Sequence, residues 1–352
     1  MELKIKDKKI GDKHPVFIIA ELSCNHLQKY DNAVKMIQQA HECGVDAVKL
    51  QTFTPDTITL NSDTRHFQIR QGTIWDGTTL YKLYQKAYTP WEWHPKLKKV
   101  AEDLGLILFS SPFDQTAVDF LEIMNVPAYK IASFEILDIP LIEYIALKNK
   151  PMIISTGVAT LDDIKLALSA CKRMNNMQVA LLKCTSSYPA RFEEMNIRVI
   201  PDLAKRFKTI VGLSDHTMGI SVPVAAVALG ARIIEKHFIL DRSMGGPDGV
   251  FSLEPAEMKA LVRNVREAEK ALGEVTYKLS PKIEKSKEFA RSLFVVKDIR
   301  KGDVFTEENV RSIRPGFGLP PKYLPKVLGK KAARDIVFGT PLKKEMVKGW
   351  KG

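Results

Sequence analysis

Two histidines stand 21 residues apart in similar settings. His216 closes Gly212-Leu213-Ser214-Asp215-His216, and His237 lies in Glu235-Lys236-His237-Phe238. Each follows a short apolar run, Thr209–Leu213 before the first and Ala231–Ile234 before the second. Between them, Met218–Gly230 is a helical length rich in Ala and Val. The order strand, helix, strand brings both strand ends to one side of a parallel β/α layer, so the two imidazoles can converge. Converging imidazoles with carboxylates nearby suit a divalent transition metal. The plain alternative is two unrelated polar residues at strand ends.

Other groups able to do chemistry follow short apolar runs in the same way. They are Glu21 and Asn25, Lys49 and Gln51, Ser111, Lys130 with Ser133 and Glu135, Ser155, Lys183 with Ser186 and Tyr188, Ser214, and Glu235. Any one of them reads equally as a solvated group or a cap on the next helix. As a set they say more. Lysines gathered in one mouth repel and lose hydration, which calls for an anion to balance them. Serine hydroxyls and helix N-termini add donors for a phosphate or carboxylate. Metal, lysines and hydroxyls together suggest a phosphorylated, carboxylated substrate beside a carbonyl-bearing one. A Schiff-base lysine, Lys130 or Lys183, is a rival way to activate a carbonyl. A bound metal polarises a carbonyl without it.

The elements that must position these groups alternate along the chain. Short buried strands are expected at 16–20, 46–50, 106–109, 128–132, 152–154, 179–182, 209–213 and 231–234. Helical stretches separate them, one capped by Asp31 and stopped by Gly44, another from His94 to Leu104. The last carries Met258, Leu261, Val262, Val265 and Leu272 at helical spacing. Eight such units fit an α/β fold of the TIM (β/α)8 barrel type, with chemistry at the C-terminal strand ends. No GxGxxG follows the first strand, which lowers the dinucleotide-fold alternative. Residues 54–90, polar and aromatic with Trp75, are too long for an ordinary loop and should cover something. The barrel is expected over 1–280, a charged linker over 281–290, and a small β-rich module over 291–352.

Composition narrows the class. The 352 residues are 45% hydrophobic, enough for a sizeable core, and no apolar run reaches the ~18 residues of a membrane helix. The charge-alternating N-terminus has no apolar signal core, and the four cysteines (Cys24, Cys43, Cys171, Cys184) form no CxxC pair. A reduced, cytoplasmic protein is the simplest expectation. The net charge of +12 comes from 53 basic residues scattered among 41 acidic ones, which favours an anionic small substrate over nucleic acid.

The motifs Ile19–His26, Val48–Thr52, Tyr129–Ser133, Ile154–Gly157, Lys183–Pro189, Leu213–His216 and Glu235–His237 resemble the sialic acid synthase family, in order and over nearly the whole chain. The tail from Arg291 resembles that family's antifreeze-like (SAF) domain. Asn61–Asp63, Trp75-Asp76, Leu80–Tyr84 and Thr89–His94 are most similar to its pseudaminate branch. The resemblance implies a transferase that condenses phosphoenolpyruvate (PEP) with an open-chain acetamido sugar, giving a nine-carbon 2-keto acid and phosphate. It implies a divalent metal, Mn²⁺ with Mg²⁺ or Co²⁺ as alternatives, on His216 and His237. Glu21 would deprotonate water and Glu135 would protonate the new alkoxide. PEP would be held by Lys49, Ser111, Lys130, Ser133, Ser155, Ser186 and Ser214, and the sugar by Tyr188 and Asp248. Arg314 would reach the sugar of a partner subunit's barrel in a domain-swapped homodimer. There are departures. Ser186 stands where sialic acid synthases carry Asn, which shortens its reach toward a phosphate, and Ser111 where they carry Thr, which keeps a hydroxyl. Gly245–Gly249 looks closer to the sialic acid branch, which keeps N-acetylneuraminate or legionaminate synthesis as an alternative. A carbohydrate-binding protein on a non-catalytic barrel is the alternative from a different class.

Overall fold

The computed structural model describes residues 1–350. Eight parallel strands close into a barrel: β3 (Phe17–Glu21), β4 (Ala47–Thr52), β5 (Ile107–Pro112), β6 (Tyr129–Ile131), β7 (Met152–Ser155), β8 (Val179–Cys184), β9 (Ile210–Asp215) and β10 (Ile233–His237). β10 pairs back onto β3, with His237 opposite Glu21, so the two ends of the chain's alternation meet at the site. The expected eight-unit barrel is therefore present.

Most strands open on a short apolar run because both their faces are buried, while β4 and β6 carry Lys49 and Lys130 within theirs. The period of two then sorts the residues. Phe17, Ile19, Ala47, Ile107, Phe109, Ile153, Leu182, Ile210 and Ile233 fill the lumen. Ile18, Val48, Leu108, Ile154, Leu181, Leu213 and Ile234 pack outward against the helices. The same parity carried to the strand ends puts Glu21, Lys49, Ser111, Lys130, Ser155, Ser214, Glu235 and His237 on the lumen side. Gly212 has lumen parity too. A Cβ there would lie 2.3 Å from the Ile233 carbonyl oxygen and 2.6 Å from Leu182 Cδ2, so only glycine lets β9 and β10 sit side by side at this height.

The charge alternation of the first residues is a strand pattern. It forms a hairpin, β1 (Glu2–Ile5) with β2 (Lys8–Gly11). Leu3, Ile5 and Ile10 join the lumen cluster and seal the barrel at the end opposite the strand C-termini. The first helix runs Tyr30–Cys43 without a side-chain cap; Asp31 sits inside its first turn, where a carboxylate complements the helix dipole without capping. Gly44 at φ +82° ends that helix.

The chain divides into two compact units, Met1–Gly273 and Glu274–Gly352. The second has a core of its own around Leu293, Val295, Ile299, Phe305, Val310 and Leu342. It contains the antiparallel pair β11 (Ser292–Val295) and β12 (Val310–Ile313) and several isolated bridges. The stretch expected as a linker holds a short helix, Pro281–Ser286, because Ser280 caps it by accepting from the Ile283 amide. Among the described residues no helix is long and apolar enough to cross a membrane.

Candidate active site

At the C-terminal strand ends the lumen side chains form one buried charge cluster. Lys49 Nζ lies 2.5 Å from Glu21 Oε2 and 3.7 Å from Glu235 Oε1. Lys130 donates to Glu235 Oε1 at 3.1 Å, and Ser214 Oγ donates to the same oxygen at 3.2 Å. Lys49 also donates to Ser111 Oγ at 3.3 Å. All these side chains are buried. Glu235 thus balances both lysines and Glu21 balances one. This corrects the expectation that a bound anion must supply their counter-charge: resident carboxylates already do so, since a lysine stripped of water needs a partner in the free protein as well.

The carboxylates differ in strength. Burial would raise Glu235, but Lys130 and Lys49 outweigh it and hold it below the usual range. Burial lifts Glu21 above the usual carboxylate range, with Lys49 opposing and Glu235 reinforcing the lift. Gln51 Nε2 donates to Glu21 Oε1 at 2.9 Å and to Ser23 Oγ at 3.1 Å, and Ser23 donates to Asp248 Oδ2 at 2.5 Å. A hydrogen-bond chain therefore joins Glu21 to Asp248.

Beside this cluster lies a cavity of about 700 Å³. Gln51, Ser133, Glu135, Tyr188, His237 and Asp248 reach it from the barrel. Ile58, Gln68, Ile69, Trp75, Leu80 and Leu83, all from residues 54–90, wall its other side. Trp75 Nε1 donates to the Pro247 carbonyl at 2.8 Å, tying that insertion to the loop carrying Asp248. Burial pushes the Glu135 carboxyl up to about 7.

The two histidines converge, with ring centroids 5.3 Å apart. Tyr188 packs on His216 at 4.5 Å and Phe251 on His237 at 4.9 Å. His216 Nδ1 lies 3.0 Å from the Thr185 carbonyl oxygen, which fixes its N–H there and leaves Nε2 as a lone-pair donor. His237 Nδ1 is buried without a hydrogen-bond partner, 3.6 Å from Asp248 Oδ2. Burial and the charges of His216 and Lys49 hold His237 neutral, the form a metal needs. Burial would lower His216 as well, but the Cys184 sulfur, 3.9 Å from its Nδ1, outweighs it and raises its affinity for a proton. Among the described residues no three His, Cys, Asp or Glu side chains gather closely enough to enclose a metal alone. The donor set fits a cation held by two imidazoles with its remaining positions open.

Other residues fall out as follows. Ser133 and Ser186 share a hydrogen bond at 2.5 Å. Gly157 makes room for them, since a Cβ there would meet Ser186 Oγ at 2.1 Å. Ser155 Oγ is buried and unpartnered. Lys183 has the parity of Leu181, outside the lumen, and donates to the Cys184 carbonyl and Thr185 Oγ1. That removes it from the Schiff-base alternative. Arg314 follows β12 in the second unit. From sequence alone Glu235 and Gln51 are only strand-end groups; their parity with His237 and Lys49 is the signal that they belong to the cluster.

Residues 36–277 match the NeuB family, and residues 290–348 the SAF domain. The chain belongs to the NeuB family. Among relatives, a pseudaminic acid synthase of Campylobacter jejuni subsp. jejuni is 50% identical over 93% of this chain and 95% of that protein. A pseudaminic acid synthase of Helicobacter pylori is 47% identical over 93% of this chain and 96% of that protein. Among solved structures, the N-acetylneuraminic acid (sialic acid) synthetase of Leptospira borgpetersenii, in complex with citrate, superposes with a TM-score of 0.73 at 30% identity. That match covers 81% of this chain and 95% of the other. The NeuB and SAF matches together span the motifs from which the resemblance to sialic acid synthases was drawn, except the first.

Proposed function

We propose that this NeuB-family chain is a pseudaminic acid synthase. It joins PEP to 2,4-diacetamido-2,4,6-trideoxy-altrose and releases phosphate. One observation carries the reading: a lysine–serine–carboxylate cluster fit for a small phosphorylated acid adjoins a cavity walled by aromatic and apolar groups of the 54–90 insertion. The similarity to pseudaminic acid synthases selects the sugar.

The chemistry follows from the residues. Lys49 and Lys130, with Ser111, Ser155 and Ser214, hold the phosphate and carboxylate of PEP as charge-assisted donors. C3 of PEP forms the new bond to the sugar's aldehyde carbon. Glu135, partly protonated near neutrality because of its burial, donates to the resulting alkoxide oxygen. Water adds to C2 as Glu21 takes its proton, and the C–O bond to phosphate breaks. The raised affinity of Glu21 for a proton suits it to this task. Gln51 and Ser23 orient the Glu21 carboxylate. His216 and His237 would hold a divalent cation, Mn²⁺ in our reading, which polarises the aldehyde when bound. Tyr188 and Asp248 contact the sugar.

We further propose a homodimer in which Arg314 serves the partner's barrel. Exposed Phe134, Leu137, Phe192 and Val250 follow strand ends at the barrel mouth, and a second copy would cover them.

Phosphate release from PEP and Mn²⁺ tests the reading, with the diacetamido altrose and N-acetylmannosamine compared side by side. Turnover with the first alone is expected and should vanish with EDTA. Turnover with the second alone would reassign the sugar, and release unaffected by complete metal removal would reject the two-histidine metal site.

A further inference from the structure

Behind the two histidines, on the outer face of the barrel wall, lies a charge pair that the proposed reaction does not use. Asp215 and Lys236 are register partners on β9 and β10. Their parity sends them outward into the otherwise apolar layer between strands and helices. Both side chains have 0% exposure, and Lys236 Nζ sits 2.5 Å from Asp215 Oδ2. Each is the residue immediately before one of the histidines.

The pair also grips the residue after His216. The Thr217 amide donates to Asp215 Oδ1 at 3.1 Å, and its hydroxyl to the same oxygen at 2.9 Å. Lys236 Nζ donates to the Thr217 carbonyl. His216 is thus held on both sides, through Asp215 and Thr217, by a lysine whose chain neighbour is His237. On the far side of His237, the Phe238 amide donates to the Glu21 carbonyl at 2.9 Å. A buried ion pair is weak evidence for stability, because apolar residues of similar size often serve equally well or better. Geometry offers a reason for it to be there: the pair ties the two histidine-bearing strand ends together at one height.

We infer that Asp215 and Lys236, with Thr217, form a positioning clamp that sets the spacing of His216 and His237 for a divalent cation. The inference rests on the metal reading above. Groups hydrogen-bonded to metal ligands change affinity by about 10–100-fold when removed, and we take the same scale for a clamp that acts on the ligands through the backbone.

The test uses the full-length protein and Mn²⁺ alone, titrated by EPR of the free ion, alongside thermal melting. The double substitution Asp215→Leu with Lys236→Met replaces the pair with apolar groups and leaves no orphan charge. It should melt within a few degrees of the unaltered protein, yet bind Mn²⁺ about 10–100-fold more weakly. Thr217→Val keeps the ion pair, removes one grip, and should weaken Mn²⁺ by a smaller factor in the same direction. Unchanged Mn²⁺ affinity in the double variant overturns the clamp. So does a large loss of melting temperature, which would make the pair a stability element. If the unaltered protein binds no Mn²⁺, the metal reading itself fails and the clamp with it; retained binding in both proteins rejects the clamp alone.

Discussion

Glu235→Gln removes one charge from the centre of the cluster and almost nothing else. The amide oxygen can still accept from Lys130 and Ser214, which now lie 3.1 and 3.2 Å from Oε1. What disappears is the counter-charge. Glu21 still faces Lys49 at 2.5 Å, so the loss falls mainly on Lys130, whose only carboxylate contact among the described residues is Glu235. Removing one partner of a buried ion pair typically costs 3–5 kcal/mol. Because half of the cluster stays neutralised, we take the low end, about 3 kcal/mol. At roughly 2–4 °C per kcal/mol for a domain of this size, the melting temperature should fall by about 6–12 °C. A ligand anion can replace the missing charge. PEP should therefore raise the melting temperature of the variant by more than that of the unaltered protein, and inorganic phosphate should do so to a lesser degree. Differential scanning fluorimetry across a PEP series measures both effects. A variant that melts with the unaltered protein, or gains no more from PEP, would refute the idea that Glu235 stands in for the substrate's charge.

Glu21→Gln should stay folded and lower kcat by about 10²–10⁴-fold, the scale of a lost general base; a tenfold loss or less in a phosphate-release assay removes Glu21 from that role. Burial raises the Glu135 pKa to about 7, so the acid form that donates a proton is lost as pH rises through that value. The alkaline limb of the kcat profile should fall near pH 7 and be absent in Glu135→Gln; an unchanged limb assigns it to another group. Arg314→Ala should cripple activity by itself, and mixing it with Glu21→Gln should restore part of it if the two act in one site across a dimer. Absence of restoration argues against the swapped arrangement.

The barrel was legible because parallel strands buried on both faces cannot hide: Val16–Ala20, Met152–Ile154 and Ile233-Ile234 are short apolar runs with polar groups at their ends. Less legible was the hairpin Glu2–Gly11. Its alternation of charge and apolar residues looks like a solvated terminus until Leu3, Ile5 and Ile10 are seen closing the lumen. The segment around Pro281 reads as linker because charge dominates it, whereas a single Ser280 cap is enough to start a helix there. The length and aromatics of the 54–90 insertion mark it as a cover. Which of its side chains face the cavity is decided by tertiary contacts such as Trp75 with Pro247, and no local pattern encodes those.

The site itself was legible through parity. Once a strand's apolar residues are assigned to lumen and outer layer, its terminal polar residue has its side fixed with no further information. That rule gathers Glu21, Lys49, Lys130, Ser214, Glu235 and His237 into one mouth, and it excludes Lys183, one residue out of phase. It also exposes what a list of strand-end residues conceals. Asp215 and Lys236 carry charges between the very residues that face the lumen, so parity sends them into an apolar layer where each would be intolerable alone. Their pairing across β9 and β10 is therefore demanded by the same alternation that builds the catalytic mouth. A charge of either sign at one of these positions needs its opposite at the other, and that requirement couples the two strands where the histidines must meet.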